Sequence, residues 1–424
     1  MNAKITAGII FVCAYALFVI LPKRRTYTAV SGAILLVLLG VLSIVDAFKA
    51  IHWNVMGIFV GTLVVADLFM ESRVPAYLAE VIVDRARNTA WAILLICMMT
   101  GFISAFVENV ATVLIVAPIA FALARKLQIS PVKMMIAIAI SSNLQGTATL
   151  IGDPPSMLLA GHTKMNFLDF FVYKGRPGIF FAVQVGAIAS FVVLYFLFSK
   201  QKEKRQLVRI EKVSTWIPTI ILVVLIVALA VSSFYDTGFN YMAGVMCVIA
   251  AVICILFKAL FKAGKPIAEG LKSLDWDTAF FLMGVFILVG SLTNTGWVKT
   301  SADFLSGLVG SNIFMGYTLL VFVAVFLSAF IDNVPFLAAM LPVAGQMAVN
   351  LNVNPSLFYF GLLIGASLGG NVTPIGASAN IVACGLLKKS GHNVRFGEFM
   401  KIGLPFTLAA VTAAYLFVWF IWSS

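Results

Sequence analysis

The sequence predicts an all-α polytopic membrane protein of two inverted repeats, with about 10 transmembrane helices, two re-entrant hairpins and two broken helices. Three observations carry that prediction. Of 424 residues, 62% are hydrophobic and only 11% charged, more apolar surface than a water-soluble fold hides. Apolar runs of roughly 20 residues recur, the length at which a helix crosses hydrocarbon. Stretches of the first half return in the second at a constant offset. The runs lack the every-second-residue alternation of a barrel strand, which excludes a membrane β-barrel.

The first span is expected at 5–22. It is followed, not preceded, by Lys23, Arg24 and Arg25, and no small-residue cleavage site comes after it. It therefore reads as a retained span, not a signal peptide. Spans at 28–47 and 53–71 come next, then a short amphipathic piece at 75–87. Two apolar legs, 88–107 and 110–124, are split by Glu108-Asn109 and read as a re-entrant hairpin. A span over 131–161 is interrupted by Gly146, Gly152, Pro154 and Pro155. A span at 177–198 closes the first half, residues 1–198. The linker 199–212 carries Lys200, Lys202, Lys204, Arg205, Arg209 and Lys212, which places it in the cytoplasm.

The second half, 213–424, repeats this order. Spans fall at 215–233, 240–258 and 276–295, with an amphipathic piece at 299–309. Legs 314–331 and 334–349 flank Asp332-Asn333. A broken span, 355–387, is interrupted by Gly369, Gly370, Pro374 and Gly376, and a final span runs 403–422. The run from Ser104 to Val110 matches the run from Ser328 to Val334 at an offset of 224. Pro118, Pro131 and Gly161 match Pro342, Pro355 and Gly385 at the same offset. Gapless pairing of 101–161 with 325–385 gives about 18 identities against roughly 6 expected by composition, so the duplication is real. Trp53 and Gly61 pair with Trp276 and Gly284 at 223. If each two-legged segment enters and leaves on one side, each half crosses an odd number of times, and the halves are inverted. The basic loops at 23–25, 72–87 and 125–126 then fall inside with the linker, as do Lys258, Lys262, Lys265, Lys388, Lys389 and Arg395, while Lys164, Lys174 and Arg176 fall outside. Both termini come out external.

The net charge of +12 thus reads as topology signal, and nucleic acid is not expected as a partner. Cys13, Cys97, Cys247, Cys254 and Cys384 lie in apolar segments with no CxxC pair, and the three histidines are scattered. Packing is the role expected of the cysteines, Cys384 included, and no structural metal site or cofactor is expected.

The breaks and tips carry the chemistry. A broken helix leaves backbone N–H and C=O groups without partners. In lipid that arrangement survives only facing protein or a wet cavity, where carbonyls bind cations and helix N-termini bind anions. Inverted repeats with paired breaks are the architecture of secondary carriers. Glu108 and Asp332 each interrupt an apolar stretch at the same repeat position, and each precedes an Asn. A carboxylate at that depth is expected to coordinate a cation or exchange a proton, and it also fits as a cap on the second hairpin leg. Asn109 and Asn333 offer both a carbonyl and an amide. Asp153 precedes Pro154-Pro155 and has Ala377 as its repeat partner. Asp67 is mid-span, paired in the repeat with Gly290. No Arg or Lys lies in either tip or break, so an anion there relies on helix N-termini and co-bound cations.

At these residues the sequence resembles the ion transporter superfamily, which includes divalent-anion and citrate carriers, arsenite permeases, silicon efflux carriers, the melanosomal P protein and sodium/proton antiporters. The run from Gly369 to Asn380 is similar to the P-protein and arsenite-permease branch. In dicarboxylate symporters the tips read Ser-Asn-Thr and bind sodium and substrate. That motif falls here on Glu108-Asn109-Val110 and Asp332-Asn333-Val334, where the Asn is kept. Arsenite permeases follow the tip Asn with Asp, whereas here the acid precedes it. The family's broken-helix loops fall on Gly152, Asp153, Thr373, Pro374 and Gly376, with Thr149 and Asn371 beside them. The resemblance implies a scaffold domain and an elevator-like transport domain, often in a dimer. It implies a multi-pass inner-membrane carrier for a small anion or oxyanion, coupled to protons or to sodium at Glu108, Asn109, Asp332 and Asn333. A sodium/proton antiporter is the alternative, and a channel is a third reading. An enzyme would need a nucleophile, base or metal cluster that the sequence lacks.

Overall fold

The computed structural model describes residues 2–200, 212–261 and 266–423. The basic linker expected at 199–212 lies almost wholly outside the described residues, as do Lys262 and Lys265. Ten helices of the first half run Ala3–Ile20, Arg25–Leu38, Ile44–Ala50, Trp53–Glu71, Val74–Asp84, Thr89–Ser104, Asn109–Leu127, Val132–Gly146, Pro154–Thr163 and Ile179–Phe198. Ten follow in the same order: Ile217–Ser232, Met242–Phe261, Ile267–Ser273, Trp276–Asn294, Trp297–Val309, Ile313–Ser328, Asn333–Asn350, Pro355–Gly369, Ser378–Lys389 and Phe396–Trp422. The fold is two inverted repeats, each with a hairpin and a broken helix. Among the described residues, nine helices are long and apolar enough to cross a membrane. Ile220, Val223, Val224 and Val227 of one such helix point outward, more than half exposed, because lipid is their solvent.

One expected span is corrected. The run 28–47 is two helices, Arg25–Leu38 and Ile44–Ala50, separated at Gly40, whose φ of +68° ends the first. Ser43 then restarts the chain, its hydroxyl accepting from the Asp46 N–H. Apolar composition is continuous across this turn and hid it. The counterpart is Ile267–Ser273, and both short helices anchor the next span by an indole. Trp53 Nε1 donates to the Phe48 carbonyl at 3.1 Å, and Trp276 Nε1 to the Leu271 carbonyl at 2.7 Å. A second difference is minor: Val172–Tyr173 and Arg176–Pro177 form a tiny antiparallel ladder turned by Lys174 and Gly175 at positive φ.

The two halves interlock through reciprocal pairs. Arg25–Leu38 packs along Trp276–Asn294, and Met242–Phe261 packs along Trp53–Glu71. Repeat-related glycines mark both crossings. A Cβ on Gly61 would sit 2.5 Å from the Cys247 carbonyl carbon, and one on Gly284 would sit 2.8 Å from that of Ala29. Backbone cannot swing aside as a side chain can. Gly61→Val should therefore cost about 3 kcal/mol or more and remove the monodisperse peak from size-exclusion profiles of solubilised membranes. A wild-type profile would show that the helices separate more easily than this packing implies.

The same interface carries a buried ion cluster. Lys258 Nζ lies 3.1 Å from Asp67 and 2.8 Å from Glu71, with Lys258 only 8% exposed. Asp67 is thus a helix-packing residue, and Lys258 locks two spans together. Lys258→Met should strand two buried carboxylates and lower stability by about 3–5 kcal/mol. Thermal unfolding in detergent checks this, and adding Asp67→Asn and Glu71→Gln should restore most of the loss. An unchanged midpoint in Lys258→Met would mean that water already pays the solvation cost.

Candidate functional site

Each hairpin turns at its acid. Glu108 precedes Asn109–Leu127, and its carboxylate accepts from the Ala111 N–H at 3.0 Å. Asp332 precedes Asn333–Asn350 and accepts from the Val334 N–H at 3.0 Å. Both satisfy donors that a helix start leaves open. The capping role expected of these acids is therefore present.

The breaks lie against the tips. Thr149 donates to the Ala105 carbonyl and Thr373 to the Ala329 carbonyl, the same contact in each repeat. Gly152 and Gly376 are required because a Cβ on either would collide with the carbonyl of Gly146 or Gly370. Gly146 in turn lies against the Asn109 amide. Asp153 caps Pro154–Thr163, accepting from Ser156 N at 2.9 Å and from the Thr147 hydroxyl at 3.1 Å. In the second break Ala377 leaves that cap empty. Asn380 supports the turn instead, donating to the carbonyls of Gly370 and Thr373 at 3.0 Å each. Pro374 sits in that same turn, between the 3-10 turn Gly370–Val372 and the helix Ser378–Lys389.

The two tip asparagines differ. Asn109 Oδ1 accepts from Ser104 Oγ at 2.7 Å, and its Nδ2 donates to Asn143 Oδ1 at 3.2 Å. Asn143 continues across the repeat boundary to the Ser367 carbonyl at 2.9 Å and to Asn371 Oδ1 at 3.1 Å. Asn109 is thus fixed within a buried relay that links the first tip to the second break. The Asn333 side chain makes no hydrogen bond among the described residues.

Both asparagines line one small cavity of about 40 Å³, with Glu108, Val110 and Val334 from the tips and Pro154, Ser378 and Ala379 from the half-helix starts. Arg25, Asp275, Thr278 and Phe281 close it from the other side. Here the expectation of two tip acids without a basic neighbour is corrected. Arg25 forms an ion pair with Asp332 and reaches the tip from a distant helix. It was counted from sequence only as a topology residue, because nothing local marks it as facing inward. Asp275 caps Trp276–Asn294 through Thr278, at 3.0 Å to its N–H and 2.6 Å to its hydroxyl. The cavity region therefore gathers three carboxylates, Glu108, Asp275 and Asp332, around one guanidinium. Of the sequence-predicted residues, Glu108, Asn109 and Asn333 line the cavity. Asp332 adjoins it through Arg25. Thr149, Gly152, Asp153, Asn371, Thr373 and Gly376 stand behind as supports. Asn143, Arg25, Asp275 and Thr278 were missed.

Two larger cavities flank this one. A space of about 450 Å³ beside Met98, Phe102 and Phe191 is mostly apolar, its polar lining being Ser141, Ser190 and the mutually bonded Gln145 and Gln184, and offers an ion no charge. A vestibule of about 450 Å³ is lined by Asp46, Lys49, His52, Leu158, His162 and Leu341. It shares three helices with the small cavity, Pro154–Thr163, Trp276–Asn294 and Asn333–Asn350. Leu158 follows Pro154 and Ala338 follows Val334 by four residues, about 6 Å along each helix.

Residues 15–365 match the citrate transporter family. The chain belongs to that family. An uncharacterized transporter of Mycobacterium tuberculosis is 30% identical to this citrate transporter family member over 440 residues, covering 98% of each chain. The P protein of Mus musculus is 24% identical over 498 residues, covering 97% of this chain and 60% of its own length. Among solved structures, the YdaH transporter of Alcanivorax borkumensis aligns with a TM-score of 0.63 at 11% identity, over 99% of this chain and 98% of its own. MtrF of Neisseria gonorrhoeae, from a class of antimetabolite efflux pumps, aligns at 0.57 with 14% identity over 92% and 84%. Those two likenesses are of fold alone. The citrate transporter family member is a multi-pass membrane transporter, and several of its relatives are named as transporters.

Proposed function

We propose that this chain is a secondary active transporter of the inner membrane that moves a small anion or oxyanion, coupled to a proton or sodium ion. The observation that carries this reading is the convergence of both hairpin tips and both half-helix starts on one small cavity lined by Glu108 and Asp275. The helix starts at Pro154 and Ser378 supply partial positive charge for an anion. Glu108 and the tip amides supply oxygen for a cation, which also screens the anion from the acids. The vestibule one turn away is the access route on the face expected to be external. Alternation then needs the tips and breaks to move against the interlocked helix pairs, an elevator-like displacement. Uptake into proteoliposomes tests this, with imposed proton and sodium gradients and arsenite, silicate, citrate, dicarboxylates and sodium as solutes. Accumulation of an anion against its gradient supports the proposal. Equilibration without accumulation would indicate a channel.

The acid excess favours a second reading, a sodium/proton antiporter. A cavity of about 40 Å³ holds an ion or a few waters but not a citrate-sized solute. In that case sodium itself is the cargo, and a proton gradient drives it with no anion present.

A further inference from the structure

Arg25 begins the helix Arg25–Leu38, and its guanidinium is committed in two directions. Toward the helix Trp276–Asn294 it donates to Thr278 Oγ1 at 3.1 Å, lies 3.9 Å from the Asp277 carboxylate, and sits 4.9 Å from the centre of the Phe281 ring. Toward the second hairpin it pairs with Asp332 Oδ2. The other oxygen, Asp332 Oδ1, is already taken by the Val334 N–H. Each oxygen of Asp332 therefore already has one partner. A cation approaching this carboxylate on its Oδ2 side meets the Arg25 guanidinium, whose like charge opposes it.

Arg25 is the weaker of the two attachments. The pair is partly solvated, with side chains 21% and 25% exposed, and ion pairs in such settings are modest in net strength. Leaving Asp332 does not strand Arg25, because Asp277, Thr278, Phe281 and the nearby Asp275 and Glu108 remain around it. A guanidinium stays charged at any physiological pH, so it holds this place whenever no other cation does. The first tip has no equivalent, since among the described residues no Lys or Arg pairs with Glu108.

We propose that Arg25 is a tethered counter-ion that competes with the transported cation for Asp332, so that cation loading unlatches the second hairpin from the Arg25–Leu38 and Trp276–Asn294 pair. This inference rests on the cation-coupled reading above. It makes Arg25 a positioning residue: it sets how tightly the cation is held and ties loading to movement.

The test uses purified full-length protein in liposomes on a solid-supported membrane, with charge displacement recorded after sodium jumps and after pH jumps. Removing the competitor should tighten binding. Arg25→Gln is expected to lower the half-saturating concentration of the active cation by roughly five-fold or more, whereas Arg25→Lys, which keeps a charge, stays near wild type. The shift should vanish when Asp332→Asn is the background, because nothing remains to compete for. An unchanged or raised half-saturation in Arg25→Gln overturns the inference and marks Arg25 as an anion ligand or a structural tie. Should Arg25→Gln fail to fold, the comparison of Arg25→Lys with Arg25→Gln/Asp332→Asn carries the test. If the wild type responds to neither cation, the proposed coupling and this inference both fall. If it responds and Arg25→Gln does not shift, only the inference falls.

Discussion

Asn333→Ala is expected to cut the initial rate of transport by roughly 100-fold or more while leaving protein in the membrane at wild-type level and wild-type thermal stability. The amide of Asn333 has no hydrogen-bond partner among the described residues and lines the small cavity, so no described hydrogen bond depends on it. What it offers is an oxygen for a cation and an N–H for an anion, held at the end of a rigid hairpin. Asn109→Ala should behave differently, although the two residues are equivalent in sequence. Its amide receives Ser104 and holds Asn143, and its loss leaves buried groups unsatisfied. About 1–3 kcal/mol of stability should go with it, besides any loss of transport. Paired measurements of initial uptake and unfolding midpoint separate the cases. Near-normal uptake by Asn333→Ala would remove that residue from the site.

That asymmetry shows where sequence reading stops. The tips and breaks were legible because an acid-Asn pair, or Gly with Pro, interrupts apolar sequence that has no other reason to stop. The duplication then told which interruptions belong together. The spans around them were legible to within a few residues, except at Gly40, where a single glycine ends one helix and only Ser43 and Asp46 mark the start of the next. What could not be read is whatever depends on a distant partner. Asn143 sits among Ser141, Ser142 and Gln145, with no sequence mark to set it apart from them, and shows its use only when Asn109 and Asn371 come to it. Lys258 looks like a loop cation until Asp67 and Glu71 are beside it. Arg25 is part of a basic cluster that topology alone explains. A repeat unit predicts its own internal contacts, such as Thr149 with Ala105 and Thr373 with Ala329. It does not predict where one copy has diverged to serve the other, as Ala377 has from Asp153.

Glu108→Gln is expected to abolish gradient-driven accumulation while retaining exchange of solute across the membrane. The Gln carbonyl oxygen can still accept from the Ala111 N–H, so the start of Asn109–Leu127 keeps its cap and the tip keeps its shape. The charge is what goes. No Lys or Arg among the described residues pairs with Glu108, and an unpaired carboxylate at membrane depth is costly. On the proposed mechanism, wild-type protein relieves that cost by taking up a proton or a sodium ion, and release on the opposite side is the coupling step. A neutral amide needs no such relief, so the tip moves loaded or empty alike and the gradient does no work. Asp332→Asn is the harsher change, because it also removes the ion pair that ties the second hairpin to Arg25. Counterflow of labelled solute, compared with uptake under an imposed proton or sodium gradient, reads exchange and accumulation separately. Normal accumulation by Glu108→Gln, with unchanged pH and sodium dependence, would reduce Glu108 to a helix cap. Attention would then move to Asp153, the remaining acid at the breaks, whose oxygens are already engaged by Ser156 and Thr147.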